Sequence, residues 1–196
     1  MDNLFESQDA RDFFVWVDPN FFLADWNLNK IGSLFSIPSE QDSDNLMFMP
    51  NPKFSGFVSP FQASLLWNYK AEYNLELSRR TYFQNYPSRL TAVFLFETKA
   101  EADKYAKTNK AHVAGRELKH VKTIGAYKFS RHDSIWVDFL RTWGMKDSNT
   151  INSVCDCYWR GITLEQCELS AFGKSYIESP IFEVLFLGRV DLIREE

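Results

Sequence analysis

The sequence predicts an α+β domain. Strand-like and helix-like stretches come in blocks without regular alternation, a run of large apolar residues closes the chain, and 196 residues suit a single hydrophobic core. The expected organisation is one domain over residues 1–196, with a divergent N-terminal strand and long loop region over 1–60 and a core over 61–196. A hydrophobic content of 45%, with 18 Phe, 8 Tyr and 6 Trp, suits a substantial core, so disorder is not the default. The net charge of −4 gives no global basic field for a nucleic-acid backbone, although a local basic groove stays open. No apolar run approaches the ~20 residues of a membrane span, and Met1 to Ser7 lacks the basic and apolar segments of a leader. A protein of the cytoplasm is expected, without membrane association. Cys155, Cys157 and Cys167, odd in number and poorly spaced for a disulfide framework, suit a reducing compartment.

Asp12 to Val17 reads as a first strand, stopped by Asp18-Pro19 because proline cannot donate to a ladder. The next forty residues, broken by polar clusters and by Pro38, Pro50, Pro52 and Pro60, predict a long structured loop holding a short strand or helix. From Phe61 the stripe Phe61, Leu65, Tyr69, Tyr73 and Leu77, widened by Leu66 and Trp67, predicts the longest helix, ending before Tyr86-Pro87. Leu90 to Phe96 reads as a buried central strand. Thr98 and Glu101 form a capping box for a helix of about three turns. Two strands follow, Glu117 to Lys122 and Ala126 to Phe129, bent at Gly125. Asp133 or Ser134 then caps a helix with Ile135, Trp136, Phe139, Leu140 and Trp143 on one face, ended by Gly144. A further helix runs from Asp147-Ser148 to Trp159. Ile181 to Leu187 reads as a strand buried on both faces, turned at Gly188-Arg189 into a hairpin with Val190 to Ile193.

The common nucleotide cradles, Gly-x-x-x-x-Gly-Lys-Ser/Thr and Gly-x-Gly-x-x-Gly after a strand, are missing. The cysteines with His112, His120 and His132 lack the spacing of a zinc site, so no metal is expected. Ser130 to Ser134 reads as helix capping more readily than as a nucleophile with its base. More informative is Arg79 to Leu90, which sets guanidinium groups, aromatics and hydroxyls at a helix-to-strand junction suited to an anion such as pyrophosphate; a solvated turn is the plain alternative.

Glu183 is the misfit in the closing strand. A carboxylate there costs several kcal/mol, as an order of magnitude, unless a partner such as Arg89 satisfies it or it lines a cleft. The segments Tyr86-Pro87-Ser88-Arg89-Leu90 with Ala92 to Thr98, then Tyr158-Trp159-Arg160-Gly161, then Phe182 to Gly188, resemble a family of bacterial and phage proteins grouped with the ADP-ribosyltransferase superfamily. The resemblance spans roughly residues 60 to 196. It implies an ADP-ribosyltransferase-like split β-sheet core with flanking helices, NAD+ as the substrate in a cleft, and transfer of ADP-ribose to a macromolecular acceptor, protein or nucleic acid, in the cytoplasm, that of the host for a phage protein. Glu183 matches the late-strand glutamate that steadies the charge developing on the ribose, and Ser88 the second motif. Arg89 then suits the pyrophosphate, Tyr86, Tyr158 and Trp159 the walls of the nucleotide site, and Arg79 and Arg80 further phosphate contacts. The first motif departs: its strand carries Phe13, Phe14, Val15, Trp16 and Val17 in place of a His or Arg, with Arg11 just before it. Either Arg11 acts in a shifted register, or nucleotide binding is weakened, or the domain is a catalytically inactive binding module.

Overall fold

The computed structural model describes residues 3–17, 32–35, 60–142, 148–167 and 179–193. In chain order these form β1 (Leu4–Ser7), β2 (Asp12–Val17), β3 (Ser33–Phe35), α1 (Pro60–Tyr82), β4 (Val93–Leu95), α2 (Lys99–Thr108), a short α3 (Lys110–Val113), β5 (Glu117–Asp133), α4 (Ile135–Thr142), α5 (Ser148–Trp159) and β6 (Phe182–Leu192). The architecture is α+β with an antiparallel sheet, as the block order predicts. Among the described residues no helix is long and apolar enough to cross a membrane.

β5 and β6 form the spine, and each changes neighbours along its length. The first half of β5 pairs with β2 and the second with β1, while β6 pairs first with β4 and then with β3. A bridge between Phe14 and Phe96, with N–O distances of 2.7 and 2.6 Å, joins β2 to the end of β4. Hydrogen bonding therefore runs β2-β5-β6-β4 and back to β2, and the curled sheet encloses Phe13, Val15, Leu95, Val121, Phe129, Val184 and Phe186.

A second core lies between the sheet and α1, α4 and α5, built on Leu75, Trp136, Phe139, Val154, Tyr158, Trp159 and Leu185. Side chains alternate across a strand, so Val184 and Phe186 enter the first core and Leu185 the second. This is the expected strand buried on both faces, and Glu183 shares its parity with Leu185, on the helix-covered face.

Several expectations needed correction. The closing hairpin is absent: β6 runs unbroken through Gly188 and pairs with β5 along its length. Gly188 (φ 147°) sits opposite a register shift between Ile124 and Lys128, where a Cβ would come within 2.9 Å of the Tyr127 Cβ, so the glycine permits close approach without turning the chain. The two strands around Gly125 (φ 73°) are likewise one strand with an irregularity. β4 is only three residues long, with Leu90 and Phe94 partly exposed. β1 carries no strong strand signal, yet it pairs with β5, and Phe5 stacks on Phe129 at 4.8 Å.

The long helix forms where the spacing places it, but it presents another face. Tyr69 and Leu77 are 43% and 45% exposed, and the buried side runs through Ala71, Leu75, Glu76 and Arg79. Buried ion pairs set that rotation, described below. The Thr98 cap holds, its hydroxyl accepting from the Glu101 amide at 3.1 Å. Asp133 accepts from the amide of Ile135 and also from those of Leu164 and Ile181, so one carboxylate caps α4 and ties two loops. Most of the long loop before residue 60, together with Trp143, Gly144 and Asp147, lies outside the described residues; β3 is the piece of that loop they include.

Candidate functional site

Glu183 enters the helix-covered side of the sheet from the start of β6, and it is 6% exposed. Arg89 reaches it from the loop between α1 and β4, where the amides of Thr91 and Ala92 fold back on the Ser88 carbonyl. Arg89 and Glu183 form a buried ion pair. The Tyr158 hydroxyl, at the end of α5, donates to Glu183 Oε1 at 2.7 Å and accepts from Arg89 Nη1 at 2.6 Å. Arg89 also grips Glu72 of α1 through Nε (2.8 Å) and Nη2 (3.1 Å), and Arg141 of α4 reaches the same carboxylate at 2.8 Å. Three elements, α1, α5 and β6, thus converge on the Arg89 guanidinium, and α4 joins them through Glu72.

The electrostatics follow from this convergence. Burial works against the charge of Arg89, but the carboxylates of Glu183 and Glu72 reverse that effect and raise its pKa well above the usual value. Burial would likewise raise the pKa of Glu72, yet Arg89 and Arg141 outweigh it and hold the carboxyl below its ordinary range. Burial pushes the Tyr158 hydroxyl far up, which keeps it a proton donor. Asp138 moves up, first through burial and further through the charge of Glu183, against the pull of Arg141.

The cluster floors a cleft of about 540 Å³, a size ordinary for small-molecule sites. Trp16, Phe94, Phe96 and Tyr105 line it, together with Asp138, Arg141, His112 and Arg116. Both described hydrogen bonds of Glu183 are to Oε1, and the residue lines the cleft. Burial, then the charges of Glu183 and Asp138, raise the Tyr105 pKa to about 12. Arg116 is exposed, and its guanidinium carries no ion pair among the described residues.

Of the residues singled out in the sequence, the structure brings together Glu183, Arg89 and Tyr158. The Ser88 hydroxyl donates to Glu76 at 2.8 Å and makes no described hydrogen bond to Glu183. Arg79 and Arg80 pair with that same Glu76, so these three form a separate cluster. The Tyr86 hydroxyl donates to Asn3 at 2.9 Å, and Trp159 is fully buried, its indole N–H donating to the Leu75 carbonyl at 2.9 Å. Arg11 ion-pairs with Glu97 and lies over the rings of Phe13 and Phe129, apart from the cleft lining. From the first strand it is Trp16 that reaches the cleft, with its indole N–H fixed to the Ala102 carbonyl at 3.2 Å.

Sequence reasoning missed Glu72, Asp138, Arg141, Tyr105 and Trp16. A signal existed for the first three: Glu72 and Glu76 are one turn apart on a helix that must pack, and Asp138 and Arg141 interrupt an otherwise apolar helix. Among the described residues no group of three His, Cys, Asp or Glu could hold a metal ion. His132 is sealed in the core, its Nδ1 2.8 Å from the Tyr158 carbonyl and its Nε2 2.7 Å from Ser130 Oγ.

Residues 19–194 match the family described as Protein of unknown function (DUF2441). No curated protein matches the chain.

Proposed function

The chain belongs to the DUF2441 family, and we propose that it is an ADP-ribosyltransferase-like protein that cleaves NAD+ in the Glu183 cleft and passes ADP-ribose to a protein or nucleic-acid acceptor. The observation that carries this reading is Glu183 itself, a carboxylate fixed by Arg89 and Tyr158 on the floor of an aromatic-walled cleft. Breaking the bond between nicotinamide and ribose sends the bonding pair to the departing ring and leaves positive charge on the sugar. A pre-positioned carboxylate oxygen lowers that barrier because it needs no reorganisation when the charge appears. The cationic nicotinamide ring suits the faces of Trp16, Phe94 and Phe96, and Arg116 at the rim suits a phosphate. Asp138, with its raised proton affinity, suits the proton released by the attacking acceptor. The split-sheet core of that superfamily is part of the same proposal, supported by the two pairing halves of β5 and β6.

Labelled NAD+ with cell lysate tests the reading. Glu183→Gln is expected to lower nicotinamide release and label transfer by about 10²–10³-fold, the usual scale for one electrostatic group. Equal label and equal release from both proteins would remove the enzyme reading.

A second reading is a catalytically inactive module on the same fold that binds a protein or nucleotide partner. Two observations favour it: Glu183 Oε1 is already held by two partners, and from the first strand it is the indole of Trp16, with no His or Arg, that lines the cleft. Calorimetry with NAD+ separates the two. Binding without Glu183-dependent turnover selects the module, and binding with turnover eliminates it.

A further inference from the structure

Two of the three cysteines lie side by side. Cys157 sits in the last turn of α5 and Cys167 in the segment after it, and their sulfurs are 3.4 Å apart with both thiols free. Sequence spacing gives no reason to pair them, because residues ten apart meet only if the chain doubles back. It does so through a turn held by the Gly161 amide on the Tyr158 carbonyl (3.0 Å) and the Ile162 amide on the Cys157 carbonyl (3.0 Å), and by the amide of Cys167 on the Thr163 carbonyl (3.1 Å).

The two thiols differ in access. Cys157 is buried, and burial together with the neighbouring sulfur raises its pKa to about 12, while Cys167 is half-exposed. Cys155 is 1% exposed, with burial raising its thiol to about 12 as well, and among the described residues its thiol is free and the close sulfur pair is that of Cys157 and Cys167. Attack on an oxidant therefore starts at Cys167 and is completed by Cys157, with Cys155 a bystander.

We propose that Cys157 and Cys167 form an oxidation site that closes to a reversible disulfide with a low-molecular-weight disulfide as oxidant, and that closure acts on the cleft through Tyr158. The steps balance. Cys167 Sγ, as thiolate, attacks one sulfur of the oxidant, forming a mixed disulfide and expelling the first small thiolate, which takes up the proton that Cys167 released. Cys157 Sγ then attacks Cys167 Sγ, the protein disulfide forms, and the second small thiol leaves with the Cys157 proton. Two protein thiols are oxidised and one small disulfide is reduced to two thiols.

Tyr158 follows Cys157 directly, and its hydroxyl holds both Glu183 and Arg89. A covalent bond is shorter than the contact it replaces, so closure draws on the last turn of α5 and on the residue that orients the cleft carboxylate. This inference does not depend on the identity of the cleft ligand.

The full chain treated with oxidised glutathione, then alkylated, digested and weighed, is expected to give a Cys157–Cys167 linked peptide, an alkylated Cys155, and complete reversal by dithiothreitol. Cys157→Ser should stall with glutathione on Cys167, and Cys167→Ser should take up no oxidant under native conditions. Glutathione retained on wild-type Cys167 without linkage, or linkage through Cys155, overturns the site. Hydrogen exchange at the amides of residues 158–162 should differ between the oxidised and reduced protein; identical exchange overturns the coupling to Tyr158.

Discussion

Two carboxylate–guanidinium clusters meet at the turn that follows α1, and adjacent residues of that turn, Ser88 and Arg89, belong one to each. In the first, both oxygens of Glu76 are taken: Oε1 by Arg79 Nη2 (2.8 Å) and Arg80 Nε (3.0 Å), Oε2 by Arg79 Nε (2.9 Å) and Ser88 Oγ (2.8 Å). Arg79 goes on to the carbonyls of Gln84 and Tyr86, each at 3.2 Å, so this cluster staples the turn to its helix. In the second, the described contacts of Glu183 use Oε1 alone, and the group lines a cleft. The chemistry is the same in both, and the difference is closure. A carboxylate with every lone-pair direction filled can only hold structure, whereas one that lines a cavity can also meet a ligand.

That contrast breaks first at Glu76. Removing one partner of a buried ion cluster leaves charges uncompensated, so Glu76→Ala is expected to cost about 3–5 kcal/mol in urea unfolding. A loss below about 1 kcal/mol, the scale of an exposed pair, would show that the cluster is not closed.

Glu183→Gln should cost less, about 1–2 kcal/mol, because a glutamine can still accept from Tyr158 and Arg89 keeps Glu72. A loss as large as that at Glu76 would place Glu183 on the structural side of the comparison. The smallest effect belongs to the rim: Arg116→Ala should shift stability by no more than about 0.5 kcal/mol while weakening any anionic ligand of the cleft.

Acid separates a further contribution. Glu72 and Glu76 are both held below the ordinary carboxyl value of 4.5, Glu76 because its arginines and Ser88 outweigh burial, so their stabilisation is complete above that pH and is lost as pH falls through the folded values. His132 is lowered by burial from 6.5 to about 3 and stays neutral in the fold. Between those values the unfolded chain binds a proton that the folded chain refuses, so stability falls as pH drops through that window. Unfolding curves from pH 7 to pH 5 should slope in the wild type and lie flatter in His132→Asn, with the carboxylate limb below 4.5 unchanged. Equal slopes would mean that His132 is protonated in the folded protein.

Much of the fold was legible because its causes are local. The Thr98 cap needs only the amide three residues on, the Asp12–Val17 strand needs only its own pattern, and the apolar run around Leu185 announces burial on both faces. The face of α1 was not legible. Tyr69 and Leu77 satisfy the periodicity better than Glu76 and Arg79 do, but Ala71 and Leu75 enter the core and Ser88 and Arg89 meet Glu76 and Glu72, so the charged side is the buried one. Gly188 misled for a related reason, since a glycine that allows close approach of Tyr127 looks in sequence like one that turns a chain.

The sequence by itself determined that a carboxylate stands in a buried strand and must be answered, because the cost of burying that charge follows from its neighbours in the chain. Only the tertiary structure decided what answers it. Arg89 lies 94 residues from Glu183 and Tyr158 lies 25, distances across which no local pattern constrains a side chain. The packing of α1, α4 and α5 on one another, over a core that Leu185 of β6 enters, brings them together, and the cleft lies beside them.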